Sequence, residues 1–420
     1  MNSADVCLPG SVGGSRRGSM DKATGRWPAL DGLRAVAVAA VVGFHFGIVP
    51  PGWVGVDIFF VISGFLITTL LLEESQRLGR ISLRRFWARR ALRLGPALLC
   101  AIAFALTLSL LCASAARHDT VTGLPWVLLY SGNWVRALGP GTLGLLGHTW
   151  SLAIEEQFYF LWPLVCIALV ARARNLARAA VVVSGLALAD AVYLMFAMQH
   201  WGSMRAYYGT DTHAIGLLAG SALALGILSR KSAGRTDGPW QRYFGPLAVI
   251  SLVIFVGIFA MFSNSQTESA LVLIAATLAS VVLVARLVLK PIGGIAALFS
   301  CSSALWIGKR SYGIYLYHLP IAIVFLERCH LAGVPRAAVL CGCVLLTVLV
   351  ASASYRWVEA PFLRRKERFT AISAHQTRVG TQVLPAHLHE STASECTGGE
   401  IRTHNLAARP QRWEGVPSWR

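Results

Sequence analysis

The sequence predicts an all-α integral membrane protein of about ten transmembrane helices, with both termini on the cytoplasmic side. Three observations carry that expectation. The 420 residues are 55% hydrophobic and only 14% charged, with a mean hydropathy of +0.57, unlike a soluble domain. The apolar residues gather into runs of about 20, the length a helix needs to cross a hydrocarbon core of ~30 Å. The basic residues sit in short segments between those runs, so the net charge of +18 reads as membrane topology and not as nucleic-acid binding.

In chain order, residues 1–26 are rich in Gly, Ser and Arg, show no signal-peptide pattern, and are expected to be disordered. Two apolar runs follow, Leu30–Val49 and Trp53–Leu72, joined by Pro50-Pro51-Gly52. That junction cannot continue a helix, so the pair reads as a membrane hairpin. The segment from Glu73 to Arg93 holds Arg77, Arg80, Arg84, Arg85, Arg89, Arg90 and Arg93, the strongest basic cluster, and fixes the cytoplasmic side. A third span runs from about Ala91 to Cys112. The stretch to Gly147 is the longest external segment. GHTWSLAIEEQFYFLWPL and then Val165–Val170 follow as a fourth span, with Glu155 and Glu156 where an outer-leaflet helix would begin and Trp150, Phe158, Tyr159, Phe160 and Trp162 resembling an interfacial aromatic belt.

Six further spans are expected at Ala179–Met198, Thr210–Leu228, Phe244–Phe262, Ala270–Leu289, Ser311–Leu326 and Pro335–Ser354. Basic loops alternate with them without conflict. Leu298–Trp306 is too short to span and reads as an interfacial helix. The membrane domain is therefore 27–369, and the polar tail 370–420, without apolar periodicity, is expected to be disordered. The nine cysteines are scattered, several of them in apolar runs, with no CxxC pair. They read as packing residues, and no metal site is expected.

Ionisable groups are costly in lipid, so those inside spans are candidates for function. Arg34 and His45 are eleven residues apart. At ~100° per residue they differ by only ~20° around the helix and by ~16 Å along it. Asp31 shares that face. Arg34 alone could be a snorkelling residue at a helix end. By depth, Asp31, Arg34, Arg90 and Arg93 fall near the inner surface. His45, Asp57, His148, Glu155 and Glu156 fall near the outer one, with His318 mid-span in the ninth helix. Arg90 and Arg93 are i,i+3 neighbours able to hold an anion jointly. An imidazole can take a proton from a hydroxyl, with carboxylates to orient it. The layout suits a reaction with its donor inside and its acceptor outside. It is equally compatible with a proton-coupled transporter or flippase, and a membrane scaffold is a third reading.

Six stretches in order carry a resemblance. DGLRAVAVAAVVGFH, GVDIFFVISGFLIT, FWARRALRLGPAL, HTWSLAIEEQFYFLWP, SYGIYLYHLPI and YRWVEAPF resemble the motifs of the bacterial membrane-bound type-three acyltransferases, over about Trp27–Leu363. YYGTDTHAIGLLAG is similar to a further motif, with His213 where Arg is expected. The resemblance implies acyl transfer from cytoplasmic acyl-CoA, most often acetyl-CoA, as a co-substrate and not a bound cofactor. The acceptor would be a hydroxyl of a surface or lipid-linked carbohydrate at the outer face of the bacterial inner membrane. It implies His45 as general base or acyl carrier, with Glu155, Glu156 and Glu359 as further catalytic acids. It implies Arg34, Arg90 and Arg93 as the donor site. The expected partners are the acyl-CoA, the glycan and the bilayer, with no nucleic acid. The sequence carries no signal for oligomeric state.

Overall fold

The computed structural model describes residues 27–112, 115–139, 141–172, 175–235, 238, 242–261, 270–331 and 335–365. All belong to the first of the chain's two units, 1–370, so the expectations for 1–26 and 370–420 lie outside the described residues. Every regular element among the described residues is helical. α1 (Pro28–His45) opens with Pro at its first position, where a missing N–H costs nothing. It unwinds at Gly47, whose φ of 68° needs no Cβ. A 3₁₀ turn, Pro50–Val54, leads into α2 (Gly55–Leu78), which ends at Gly79 in the left-handed region.

α3 (Leu83–Leu111) is longer than the span expected at Ala91, because the Arg-rich segment is the first part of the same helix. α4 (Arg117–Leu128), α5 (Gly132–Leu138) and a 3₁₀ turn, Gly144–Thr149, occupy the stretch expected to be external. Then come α6 (Trp150–Arg172), α7 (Leu176–His200), α8 (Ser203–Tyr208), α9 (Ile215–Ser232), α10 (Phe244–Met261) and α11 (Ala270–Leu289). α12 (Gly294–Phe299), α13 (Ser302–Leu331) and α14 (Arg336–Ser354) follow, the last running on through a π-helical turn, Tyr355–Glu359.

The protein is a polytopic membrane protein. Eight helical stretches among the described residues are long and apolar enough to cross a membrane. They are α1, Pro50–Leu78, α3, Gly144–Leu169, α7, α10, α11 and Arg336–Arg365. α9 and α13, the other two of the ten-span expectation, are long helices outside that set; α9 carries Arg230-Lys231 near its end and α13 carries Lys309-Arg310 in its first third. Leu298–Trp306 is not one interfacial helix. It is broken at Ser300-Cys301, its first part ending α12 and its last part beginning α13. The cysteines divide likewise: Cys166 and Cys343 are buried, whereas Cys100 and Cys341 are exposed.

Two seams bring the central helices together. α2 packs on α9, and α1 on α13, more extensively than any other pairs. The close approach comes from glycines. A Cβ at Gly64 would fall 2.0 Å from the Leu217 carbonyl oxygen, and one at Gly220 would fall 2.1 Å from that of Val61. On the other seam, a Cβ at Gly308 would fall 1.8 Å from the Asp31 carbonyl oxygen. Small residues let membrane helices meet where no hydrophobic drive exists between them. Leu188, Val253 and Leu349 on α7, α10 and α14 are exposed, the apolar exterior that a lipid environment accepts.

Candidate active site

Three imidazoles meet at one end of the α1/α13 seam. His45, the last residue of α1, places Nδ1 3.1 Å from Nε2 of His318 and 3.0 Å from the Val41 carbonyl. His318 Nδ1 lies 2.6 Å from the Tyr315 carbonyl oxygen. His148, on the 3₁₀ turn before α6, meets His318 edge-to-face, with 5.2 Å between ring centres. His148 and His318 are sealed, and His45 is only half-buried. Both nitrogens of His148 lack a well-formed hydrogen bond, although the Leu316 backbone lies toward its ring. Pro320 has no N–H to offer the Leu316 carbonyl four residues back, which leaves that oxygen without its helical donor. Among the described residues no group of three or more His, Cys, Asp or Glu could hold a metal ion.

Next to the imidazoles stands Arg136 of α5. It donates to the Gly147 carbonyl at 3.0 Å and lies 4.1 Å over the Tyr208 ring. Its charge reaches both His45 and His148.

A cavity of about 90 Å³ lies between α1, α2, α3, α6 and α13. Arg34, Arg90, Arg93, Ser63 and Glu155 supply part of its polar lining, and Phe59, Phe60 and Leu94 part of its apolar wall. Arg34 is 3.5 Å from Asp31, and Arg90 lies 4.4 Å over the Tyr159 ring. Ser63 donates to Glu155 Oε1 at 2.7 Å. Three guanidiniums face one lining carboxylate, so the cavity wall carries an excess of positive charge. Tyr315 lines the same cavity. Its hydroxyl donates to the His148 carbonyl and lies 2.7 Å from Ser151 Oγ. It therefore separates the arginine cavity from the imidazoles by a single side chain.

The structure brings Arg34, Arg90, Arg93 and Glu155 together, with His45 beyond Tyr315. The expectation of Glu155 at the outer entrance is corrected. The buried 3₁₀ turn starts α6 inside the bundle, and five more residues carry Glu155 ~7 Å further along the axis to the arginines. Glu156 is not on the cavity wall, and its Oε1 is buried without a partner. Glu359 sits in the π turn against Gly313 of α13, buried, with Oε1 unpartnered and within electrostatic reach of Arg93 and Arg310. His318, expected mid-span, lies midway along α13 and touches His45. Asp57 belongs elsewhere. Its Oδ1 is 3.2 Å from His213 Nε2, both side chains wholly buried, while His213 Nδ1 meets the Tyr207 carbonyl at 2.6 Å.

Sequence reasoning missed Tyr315 and Arg136. It also missed a ring of amides: Asn133 donates to Thr210 (2.9 Å), Thr210 to Gln157, and Gln157 back to Asn133 (2.9 Å). That ring ties α5 and α6 to the segment before α9. The SYGIYLYHLPI stretch, with Tyr315 and His318 i,i+3, was the one available signal for Tyr315.

The chain is 32% identical over 365 residues to the peptidoglycan O-acetyltransferase OatA of Listeria monocytogenes, covering 81% of this chain and 56% of the relative. It is 34% identical over 360 residues to the O-acetyltransferase OatA of Staphylococcus aureus, covering 82% and 58%. It thus spans little more than half the length of these curated relatives. No solved structure matches it. A family model described as an acyltransferase domain matches residues 27–356, essentially the whole helical bundle, and the chain belongs to that acyltransferase family.

Proposed function

We propose that this protein is an integral membrane O-acyltransferase of the bacterial cytoplasmic membrane. It moves an acyl group, acetyl in the first instance, from acyl-CoA to a hydroxyl of a cell-surface or lipid-linked carbohydrate. The supporting observation is the continuity of two unlike sites: an arginine-lined cavity and an imidazole cluster that share Tyr315. The arginines suit the phosphates and carbonyls of an acyl-CoA, by charge-assisted hydrogen bonds. At about 90 Å³ the cavity is far below the ~300–1,000 Å³ of a drug-sized site. The nucleotide therefore stays at the cytoplasmic mouth, and only the thioester arm enters.

At the far end, His45 removes the acceptor proton as general base or carries the acyl group transiently. Either role needs a free ring nitrogen. Arg136, with no carboxylate ion pair among the described residues, stands where it can stabilise negative charge developing on the acyl oxygen. The peptidoglycan O-acetyltransferase among its relatives makes peptidoglycan-type glycans the first acceptors to test. Purified protein with acetyl-CoA and a soluble peptidoglycan fragment should give acetylated fragment by mass spectrometry. Unmodified fragment and intact acetyl-CoA, across a panel of glycans, would overturn the proposal.

A further inference from the structure

The hydrogen bonds around His45 fix where its proton sits. A carbonyl oxygen only accepts, so the 2.6 Å contact with Tyr315 puts a proton on His318 Nδ1. In the neutral ring, His318 Nε2 then carries a lone pair. That lone pair is aimed at His45 Nδ1, 3.1 Å away, and the other partner of His45 Nδ1 is also a carbonyl acceptor, Val41. Two acceptors converge on one nitrogen, so His45 Nδ1 bears the proton and Nε2 is bare. Among the described residues His45 Nε2 has no hydrogen-bond partner, and it is not among the unpartnered polar atoms sealed from solvent.

We infer that His318 is a positioning residue that locks His45 in the Nδ1–H tautomer, through the relay Tyr315 carbonyl, His318, His45, and so presents His45 Nε2 to the reacting groups. The inference rests on the acyltransferase reading for its consequence but not for its geometry. In the transfer, the acceptor O–H proton passes to His45 Nε2 as the acceptor oxygen bonds to the acyl carbon. The C–S bond breaks, and the thiolate takes the proton from Nε2. His318 stays neutral and holds the imidazolium that forms in between, the part a carboxylate plays in a serine-protease triad. An imidazole can do this here because the site is closed to solvent on that side, where His318 is 0% exposed. A buried carboxylate would need a charged partner.

The test uses three substitutions that separate packing from acceptance. In His318→Gln the side-chain oxygen reaches the position of Nε2 and can still accept from His45. In His318→Asn the amide reaches only the position of Nδ1. In His318→Phe the volume stays and no acceptor remains. Losing the tautomer lock in a serine-protease triad costs roughly 10⁴ in turnover, so Phe and Asn should lose ~10²–10⁴-fold in kcat with little change in KM for acetyl-CoA. Gln should recover about tenfold or more, the weight of one hydrogen bond of ~1–1.5 kcal/mol.

Nitrogen NMR of histidine-labelled protein, with His45 assigned by its absence in His45→Gln, reads the tautomer without turnover. Wild type and the Gln variant should show a protonated Nδ1 and a bare Nε2, and the Phe variant, left with the Val41 carbonyl as the single acceptor, a measurable share of the Nε2–H form. The inference is overturned if His318→Phe turns over like wild type. It is overturned equally if Gln and Asn variants with unchanged thermal midpoints are equally impaired, or if His45 keeps one tautomer in every variant. Absence of thioester turnover in wild type would remove the acyltransferase reading, and the NMR result would still decide the tautomer.

Discussion

Replacing Gly220 by Ala forces apart two helices that now touch backbone to backbone. The new Cβ would fall 2.1 Å from the Val61 carbonyl oxygen and 2.8 Å from the Phe65 nitrogen, both main-chain atoms of α2. Even a 3.0 Å contact, the lower limit for real Cβ atoms, requires a local separation of about 0.9 Å. No rotamer change relieves it, because the obstacle is backbone. A gap of 0.5–1 Å forfeits roughly a quarter to a half of each dispersion contact across it. The seam holds Phe60, Val61, Phe65, Leu217 and Leu225, all buried. The overpacking cost is therefore at the upper end of ~1–3 kcal/mol. Gly226 is a control in the same helix, since a Cβ there meets nothing within 4 Å and Ala is the better helix former. Thermal unfolding in detergent should show a midpoint lowered by several degrees for Gly220→Ala and unchanged or raised for Gly226→Ala. Equal midpoints would refute the reasoning about the seam.

Arg90→Ala and Arg93→Ala should each raise the KM for acetyl-CoA by ~10–100-fold, the weight of a charge-assisted hydrogen bond of ~1.5–3 kcal/mol. An unchanged KM in steady-state kinetics would remove them from the donor site. Ser63→Ala strips Glu155 of its hydroxyl donor and should cost ~0.5–2 kcal/mol of stability, read as a lower thermal midpoint. A midpoint equal to wild type would mean that the Ser63–Glu155 contact adds nothing to stability. His213→Ala leaves Asp57 buried and unpaired, at a cost of ~3–5 kcal/mol. The double variant with Asp57→Asn should be less destabilised than the sum of the two singles, and strict additivity would deny the pair.

The spans, the hairpin and the arginine-bearing face were legible because each is local. Hydrophobic run length reports helices, and an eleven-residue spacing reports a shared face. That spacing put Arg34 and His45 on one side of α1, and the structure places them at the cavity and the imidazole cluster, with Tyr315 between. What was not legible is long-range. His45 and His318 are 273 residues apart, and no periodicity links them. Glu155 looked interfacial because its aromatic neighbours suggested a belt. A short buried turn at Gly144–Thr149, invisible as a pattern, carries it inward instead. His213 looked like a weakened motif position, yet it closes a buried pair with Asp57. The amide ring of Asn133, Gln157 and Thr210 joins three segments that only the folded bundle brings together.

The most direct measurement of the central claim is CoA release from acetyl-CoA by purified protein in nanodiscs, wild type against His45→Ala, with and without a glycan acceptor. The account predicts release that needs both His45 and the acceptor, with the variant still binding acetyl-CoA because the arginine cavity is intact. Folded wild-type protein that neither binds nor consumes acetyl-CoA would contradict it. So would a His45→Ala variant that releases CoA as fast as wild type.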